Sequence, residues 1–518
     1  MSEKYLRAIV VAVIVLCAGV NVRAEGVYEA WVARYNDPYG GEDEAYALEL
    51  DVNGNIYVTG ISYSGYGHDI CTIKYFPNGD TAWMRRFQYG MFHGGDTQDL
   101  YDMEVDGAGN ILVVGQTGYR GMITIKYAPN GDTMWTRQYT SPTIYYSDYP
   151  TDLTTDSDGF VYVTGSADST GDGSESDFVT LKYKPNGDLV WTRIYSGLCD
   201  SWDQPEAIAV DQDGNVYVAG WSYCNICSPG CDYYEDNVTV KYSPAGDVMW
   251  ISTYEGPGND VDGARALALD DSGYVYVAGF IYDTVSLYDC ATMKYSPSGD
   301  QLWAKIYNGP VATWAITRAM AIDDNRNVYV TGEYGAYRFT LKYSSSGELL
   351  WARPMGGNAI ILDNTNSAYI AGTDRISHDE QGDYIVAKFS PNGDSLWAKT
   401  YDGPAHSWDF AFDLDVDGAG NVYVTGLSVD TGYTIPDYLT IKYSPCLKSG
   451  NLNGDDKTNI VDVVYLANVV LKSWPLPNPI CLADVNGDSL ITLADVIYLA
   501  NHVFKRGPAP VQAGACCD

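Results

Sequence analysis

Histidine is scarce, with 5 residues in 518, and neither an HExxH nor a GxSxG pattern occurs, which excludes the zinc-helix and nucleophile-elbow hydrolases. Positive charge is thin as well. The 31 lysines and arginines face 67 acids, a formal net charge of -36, so a phosphate backbone or an anionic lipid surface would meet like charge and no nucleic-acid partner is expected. Beyond residue 24 no apolar run is long enough to span a bilayer, so the mature protein is expected to carry no transmembrane segment. The start of the chain does hold an apolar run, Ala8 to Val20, preceded by Lys4 and Arg7 and followed by a small-residue site ending at Ala24. That pattern predicts a signal peptide over 1–24 and an extracellular, secreted or surface-associated protein.

Cysteine is not scarce. Ten of the 11 lie beyond the leader, and export predicts that most of them pair as disulfides. Cys199, Cys224, Cys227 and Cys231 form a cluster with zinc-ligand spacing as well, and the export signal favours disulfides over metal there.

Internal repetition decides the fold. Trp31, Trp83, Trp135, Trp191, Trp250, Trp303, Trp351 and Trp397 recur 46 to 59 residues apart, most of them after a turn such as FPNGDTAW or KPNGDLVW. Between tryptophans stand segments like DQDGNVYVAG and VTVKY. Each unit therefore holds four short runs rich in β-branched and aromatic residues, bounded by turn residues, which is the pattern of a β-propeller blade. The chain enters on a lone outer strand, WVARY, and leaves on a third strand, YLTIKY. The two ends make one blade between them, so an all-β propeller of eight four-stranded blades is expected over 27–445, closed by its N-terminal strand. The units resemble the bacterial SBBP-type propeller repeats. That resemblance implies seven blades, whereas the count gives eight. SSSGELLW and DNTNSAYIAG depart from the usual turns in the sixth and seventh units.

A lysine recurs in every unit, at Lys74, Lys126, Lys182, Lys241, Lys294, Lys342, Lys388 and Lys442, and an aspartate opens the third strand at Asp69, Asp177, Asp236, Asp289, Asp383 and Asp437. A residue needed in every blade is structural; the lysines are expected to pack beside the tryptophan rings. Asp-rich hairpins such as DSDG at Asp156 offer too few oxygens for calcium and read as turns. Variation is confined to two kinds of link, both on one face, which carries YSGYGHD, YYSDYP, CNICSPGCDYYED, YDTVSLYD and DTGYTIPDY. Tyrosine and carboxylate together suit a carbohydrate or protein ligand there, and the same residues equally suit plain solvated loops. The strand, turn and tryptophan pattern also resembles the docked blades of quinoprotein dehydrogenases. In that family a quinone sits beneath a disulfide of adjacent cysteines inside the ring, but the adjacent pair here, Cys516 and Cys517, lies in the tail 511–518, so that chemistry is not expected.

After residue 445 the periodicity turns helical, and a loop plus helix occurs twice, thirty-three residues apart: NLNGDDKTNIVD before VVYLANVVLK, and DVNGDSLITLAD before VIYLANHVFK. Calcium takes hard oxygens from alternating loop positions. The first loop offers Asn451, Asn453, Asp455, the Lys457 carbonyl, Asn459 and Asp462; the second offers Asp484, Asn486, Asp488, the Leu490 carbonyl, Thr492 and Asp495. Two Ca2+ sites are expected. Asp456 and Ser489 replace the usual glycine, so the second site is expected to be weaker. The duplicated segment, 446–510, resembles a type I dockerin. That resemblance implies docking onto a cohesin domain of a scaffold protein, with Ile460, Val461, Leu493 and Ala494 at the recognition positions; packing between the two helices is the other reading of those four. The whole predicts a non-catalytic propeller attached through a calcium-dependent dockerin, with a cohesin-docked glycoside hydrolase or accessory protein of polysaccharide breakdown as the alternative.

Overall fold

In the computed structural model every repeat folds as four antiparallel strands, and eight such sheets make the propeller. The described residues are 26–65, 67–88, 100–117, 121–142, 148–168, 176–197, 202–224, 234–257, 261–283, 287–309, 314–335, 337–374, 382–430 and 435–445, and then 452, 458–472, 474, 483, 485, 490–505, 508 and 510. The predicted signal peptide and the Cys-containing tail lie outside them.

Blades 1 to 7 occupy 43–87, 100–139, 149–195, 203–254, 263–307, 315–353 and 359–401. Blade 8 takes three strands from 409–445 and its outer strand from Val27–Tyr35, which pairs with Pro436–Pro445. The expected closure and the count of eight both hold. First strands neighbour first strands all the way round, from 43–50 through each blade to 409–416 and back. They therefore ring the axis. The second and third strands read as unbroken apolar runs because neighbouring blades cover both of their faces, and Ile56–Tyr63 and Asp177–Tyr183 are buried almost throughout.

Inner strands carry a β-bulge. In blade 1 the register with the second strand shifts between Ala45 and Ala47, and the same shift recurs in blades 2, 3, 4, 5, 6 and 8. This explains the glycine of each YVTG or YVAG. A methyl group on Gly60 would lie 1.9 Å from the Glu44 carbonyl oxygen, so the bulge closes only over a glycine.

Blade is fastened to blade through the repeated turn. Trp191 Nε1 and Lys182 Nζ both donate to the Pro244 carbonyl of the next blade, each at 3.2 Å. The closing strand does the same: Trp31 Nε1 and Lys442 Nζ share the Pro77 carbonyl at 3.1 Å. Where SSSGELLW replaces the proline turn, the Ser345 carbonyl takes both donors at 3.2 Å, because a main-chain oxygen needs no particular side chain. Asn366 in the seventh unit, at φ 61°, and Arg326 in the sixth, at φ 62°, supply the left-handed residue that glycine supplies in the other six.

The lysines differ from expectation in one respect. Their cations lie over tyrosine rings of the second strand, as Lys241 over Tyr217 at 4.7 Å, while arginines cover the tryptophans, as Arg193 over Trp191 at 5.4 Å. Blade 2 has Leu112 in the tyrosine position, and there Lys126, 2% exposed, pairs with Asp106 at 2.7 Å. Lys126→Met leaves a buried carboxylate without its cation and is expected to cost about 3–5 kcal/mol, more than Lys241→Met. Urea unfolding of the two variants checks this, and the reverse order would defeat it.

The C-terminal unit, described by itself, is two helices, α1 (Ile460–Lys472) and α2 (Leu493–Lys505), packed together around Leu452, Leu466, Ala483, Val485 and Leu499. No helix among the described residues is long and apolar enough to cross a membrane.

Candidate functional site

The Asp-opened hairpins are turns, as expected. Asp156 accepts the amides of Asp158 and Phe160 on one oxygen, at 3.0 and 2.9 Å, and the Tyr162 hydroxyl on the other at 2.8 Å. A carboxylate so occupied has little left for a cation. Burial works against the charge of the equivalent Asp51, and hydrogen bonds from Asn55, Asn53 and Tyr57 more than offset it, so its carboxyl lies below the usual range.

On the opposite face a second aspartate does a different job. Asp43, Asp148, Asp203, Asp262 and Asp409 open inner strands, and each accepts a backbone amide six or seven residues upstream, from Asp37, Ser141, Gly197, Gly256 and Gly403 respectively. Asp43 and Asp262 also take the amides of Tyr63 and Tyr282 at the end of the second strand, at 3.2 and 2.8 Å. One buried carboxylate thus clamps the two links that vary most in sequence. At the junction of blades 7 and 8, carboxylate oxygens of Asp383, Asp402 and Asp409 fall within 4.8 Å of one another. His406 Nδ1 lies 2.6 Å from Asp402, while burial raises the carboxyl of Asp409 above the usual range, against the opposing pull of its hydrogen bonds and of Arg34.

Three further tryptophans stand on this face. Trp202, Trp314 and Trp408 are 51, 59 and 57% exposed, and each directly precedes the inner strand of blade 4, 6 or 8. They are not part of the repeat. Trp314 packs on Tyr288 at 5.0 Å, and Trp408 meets Phe410 edge-on at 6.1 Å, with Phe412 and Tyr46 continuing the row. Of the predicted loops, CNICSPGCDYYED lies mostly outside the described residues and the others partly so.

The bulge positions form a ring around the axis whose chemistry changes from side to side. Phe412, Tyr46 and Tyr101 occupy blades 8, 1 and 2; Glu206, Arg265 and Arg318 occupy blades 4, 5 and 6. Arg265 and Glu206 pair at 2.6 Å, Trp221 donates to the same Glu206 at 3.3 Å, and Arg318 and Arg338 share Glu333.

Below the bulge lies a belt of acids. Asp413 accepts the amide of Leu48 in the next blade at 2.7 Å, Glu49 that of Val105 at 2.5 Å, Asp102 that of Leu153 at 3.1 Å and Asp152 that of Ile208 at 2.7 Å. Each carboxyl crosses one blade boundary. Burial pushes Glu49 up to about 9 and Glu104 and Asp413 up to about 7. Asp102 and Asp152, hydrogen-bonded to each other, are both raised by burial. Sequence reading passed over this belt; its signal was an acid inside an otherwise apolar inner strand, as in LYDMEV and DFAFDLDV.

In the C-terminal unit, Asn459, Asp462, Leu490, Thr492 and Asp495 of the predicted calcium ligands are described; Asn451, Asn453, Asp455, Lys457, Asp484, Asn486 and Asp488 lie outside the described residues. Both loops end in a capping box. Asn459 Oδ1 accepts the Val461 amide while Asp462, fully buried, accepts the Asn459 amide, each at 2.8 Å. Thr492 and Asp495 repeat this at 3.1 and 2.8 Å. The side chains of Asn459, Asp462, Thr492 and Asp495 carry oxygen, the atom calcium takes, although both oxygens of Asp462 also accept amides, from Leu452 and Asn459, each at 2.8 Å. Ile460, Val461 and Leu493 are 54, 52 and 50% exposed and Ala494 is exposed too, so the reading that buries them between the helices is set aside. Val464 with Ile497, and Leu471 with Phe504, extend the same exposed apolar stripe along each helix.

Of the cysteines, Cys71 and Cys290 are free and buried, each pushed by burial up to about 12, and inert as nucleophiles. The side chains of the other eight cysteines beyond the leader, most of the ten being expected to pair, lie outside the described residues. Cys199, Cys227, Cys231 and the Cys224 side chain lie outside the described residues.

Comparison with known proteins agrees with the blades. The SBBP β-propeller repeat is matched at residues 135–171 and 190–226. An uncharacterized WD repeat-containing protein of Acanthamoeba polyphaga mimivirus is 24% identical over 346 residues, covering 56% of this chain and 24% of that protein. The chain thus spans about a quarter of the length of that relative. Among solved structures, Sqt1 from Chaetomium thermophilum overlays with a TM-score of 0.50 at 10% identity, covering 81% of this chain and 99% of that one. This likeness is one of fold alone.

Proposed function

We propose that the chain is an exported, non-catalytic propeller, fastened to a cohesin-bearing scaffold by a calcium-organised, dockerin-like C-terminal unit, with its variable face free to hold a ligand. The observation that carries this reading is the duplicated C-terminal pattern: two loops ending in buried Asp462 and Asp495, and two helices that expose Ile460, Val464 and Leu471 against Leu493, Ile497 and Phe504 at the same spacing. A buried carboxylate in the first helical turn is where a loop-bound cation would bring loop and helix together. Matched apolar stripes give a partner two equivalent surfaces on which to seat. Calcium titration of the full chain followed by capture on a panel of purified cohesin domains tests it. Capture that requires calcium and is lost in Asp462→Ala/Asp495→Ala, and in Val464→Asp/Ile497→Asp with the helices intact by circular dichroism, is the expected result. Capture by none of the panel, or capture indifferent to calcium, overturns the attachment.

The rival, a docked polysaccharide hydrolase, draws on the raised Glu49 and Glu104 near the axis. Glu49 is already engaged by the Val105 amide and Glu104 by the Thr155 hydroxyl of the adjoining blade, which is a structural use. Release of reducing ends from plant or microbial polysaccharides would decide for the enzyme.

A further inference from the structure

Resting on the reading of the variable face as the ligand face, we propose that its ligand is a neutral glycan, held on Trp202, Trp314 and Trp408 at the mouth of the axial opening. These three indoles are more than half exposed although the eight repeat tryptophans are spent on blade packing, and they stand at one structural position, the residue before the inner strand, on alternate blades 4, 6 and 8. Inner strands ring the axis. A residue at this end of an inner strand is therefore at the rim of the opening, and the three line one half of that rim, from blade 4 to blade 8.

The indoles of Trp314 and Trp408 are backed by other rings. Trp314 rests on Tyr288, which meets Tyr282 at 5.5 Å, and Trp408 stands on the row of Phe410 and Phe412, whose rings are stacked at 6.5 Å. A ring held from behind loses little freedom when a ligand covers its free face. Alternate residues of a strand share a face, so Trp202 is followed by Gln204 and Glu206, and Trp314 by Ile316 and Arg318. Directly under the aromatic rim there are therefore planar hydrogen-bonding groups already paired in charge: Glu206 with Arg265, and Glu333 with Arg318 and Arg338.

Flat aromatic faces match the C–H faces of sugar rings, and paired carboxylate and guanidinium groups offer acceptors and donors to vicinal hydroxyls without requiring charge on the ligand. The chain's formal net charge of -36 works against an acidic sugar such as a uronate. A protein partner would want one contiguous apolar patch, whereas these indoles are set apart on alternate blades.

Affinity electrophoresis of the full chain tests the proposal in gels containing hydroxyethylcellulose, xyloglucan or galactomannan, with polygalacturonate as the acidic counterpart. At least one neutral polymer is expected to retard the protein, each single Trp→Ala variant to weaken that retardation about tenfold, and Trp202→Ala/Trp314→Ala/Trp408→Ala together to abolish it, with the melting midpoint unchanged because the indoles are half exposed. Trp408→Phe, which keeps a ring, is expected to retain part of the effect. Failure of every neutral polymer, retardation that survives the triple variant, or retardation by polygalacturonate alone overturns the proposal. None of these results touches the attachment reading, which calcium-dependent capture judges separately.

Discussion

Deleting residues 27–35 is expected to abolish the cooperative melting of the propeller and to drive the protein into soluble aggregates at micromolar concentration. The deleted strand is the fourth of blade 8, and with it go the Trp31 bond to Pro77, the ring contacts of Trp31 with Tyr75 and Tyr423 at 6.2 Å, and the Arg34 bonds to Ser428 at 2.8 Å and Tyr401 at 2.9 Å. What remains is the long bare edge of Pro436–Pro445, a template for another chain. Trp31→Ala is the milder version and should cost about 3–5 kcal/mol. Hydrogen exchange should then rise first in blades 8 and 1, whereas Trp191→Ala, equal in chemistry, should loosen blades 3 and 4. A deletion variant that stays monomeric and melts within a few degrees of the parent would show that the ring does not depend on its clasp.

Raising the pH from 5 to 8 is expected to lower the thermal midpoint of the propeller by about 5 °C or more, the reverse of a protein held by exposed ion pairs. The cause is the acid belt. Glu104 and Asp413 lie at about 7 and Glu49 at about 9 in the fold, all above their ordinary values, so they favour the native state fully below pH 4 and lose that contribution as the pH climbs through 7 and then 9. Each is worth about 1–3 kcal/mol across that window. Asp51, Asp106 and Asp363 are shifted the other way, so what they contribute is present above the ordinary carboxyl range and lost as the pH falls through their lowered values. Maximum stability should therefore fall near pH 5. Asp413→Asn keeps an oxygen for the Leu48 amide and should raise the midpoint at pH 8 while leaving it unchanged at pH 5. A midpoint that is flat or rising between the two pH values would refute the role given to the belt.

The ring was legible because blade contacts use the same residues each time: Trp, Lys and the proline turn are reused, and reuse is what a single sequence can display. Closure followed from arithmetic on the strands. The lysine was given the wrong ring because its cross-strand neighbours are Trp on one side and Tyr on the other, as Lys74 stands between Trp83 and Tyr57, and linear order does not say which ring lies under the cation. The inner strands were opaque for the opposite reason. The position after the bulge is alanine in four blades, at Ala47, Ala207, Ala266 and Ala319, and aspartate in three, at Asp102, Asp152 and Asp413, so the acid does not mark every unit, and a charge in a buried strand reads as noise until the next blade's amide is seen to meet it. Trp202, Trp314 and Trp408 were hidden by their neighbours, each embedded in a link that differs from blade to blade. In the helical unit, spacing marked the positions for calcium and docking, while the exposure of Val464 and Leu471 needed the fold.

The clasp at Val27–Tyr35 also sets a timetable. Its pairing partner, Pro436–Pro445, is made about 400 residues later, which at ribosomal speeds is an interval of about 20–80 s. Throughout that time seven complete blades can pack against one another, but the first strand has nothing to pair with and the eighth blade does not exist. The last step of assembly is thus the meeting of the oldest and youngest parts of the ring, and any agent that occupies the waiting strand decides whether the circle is ever completed.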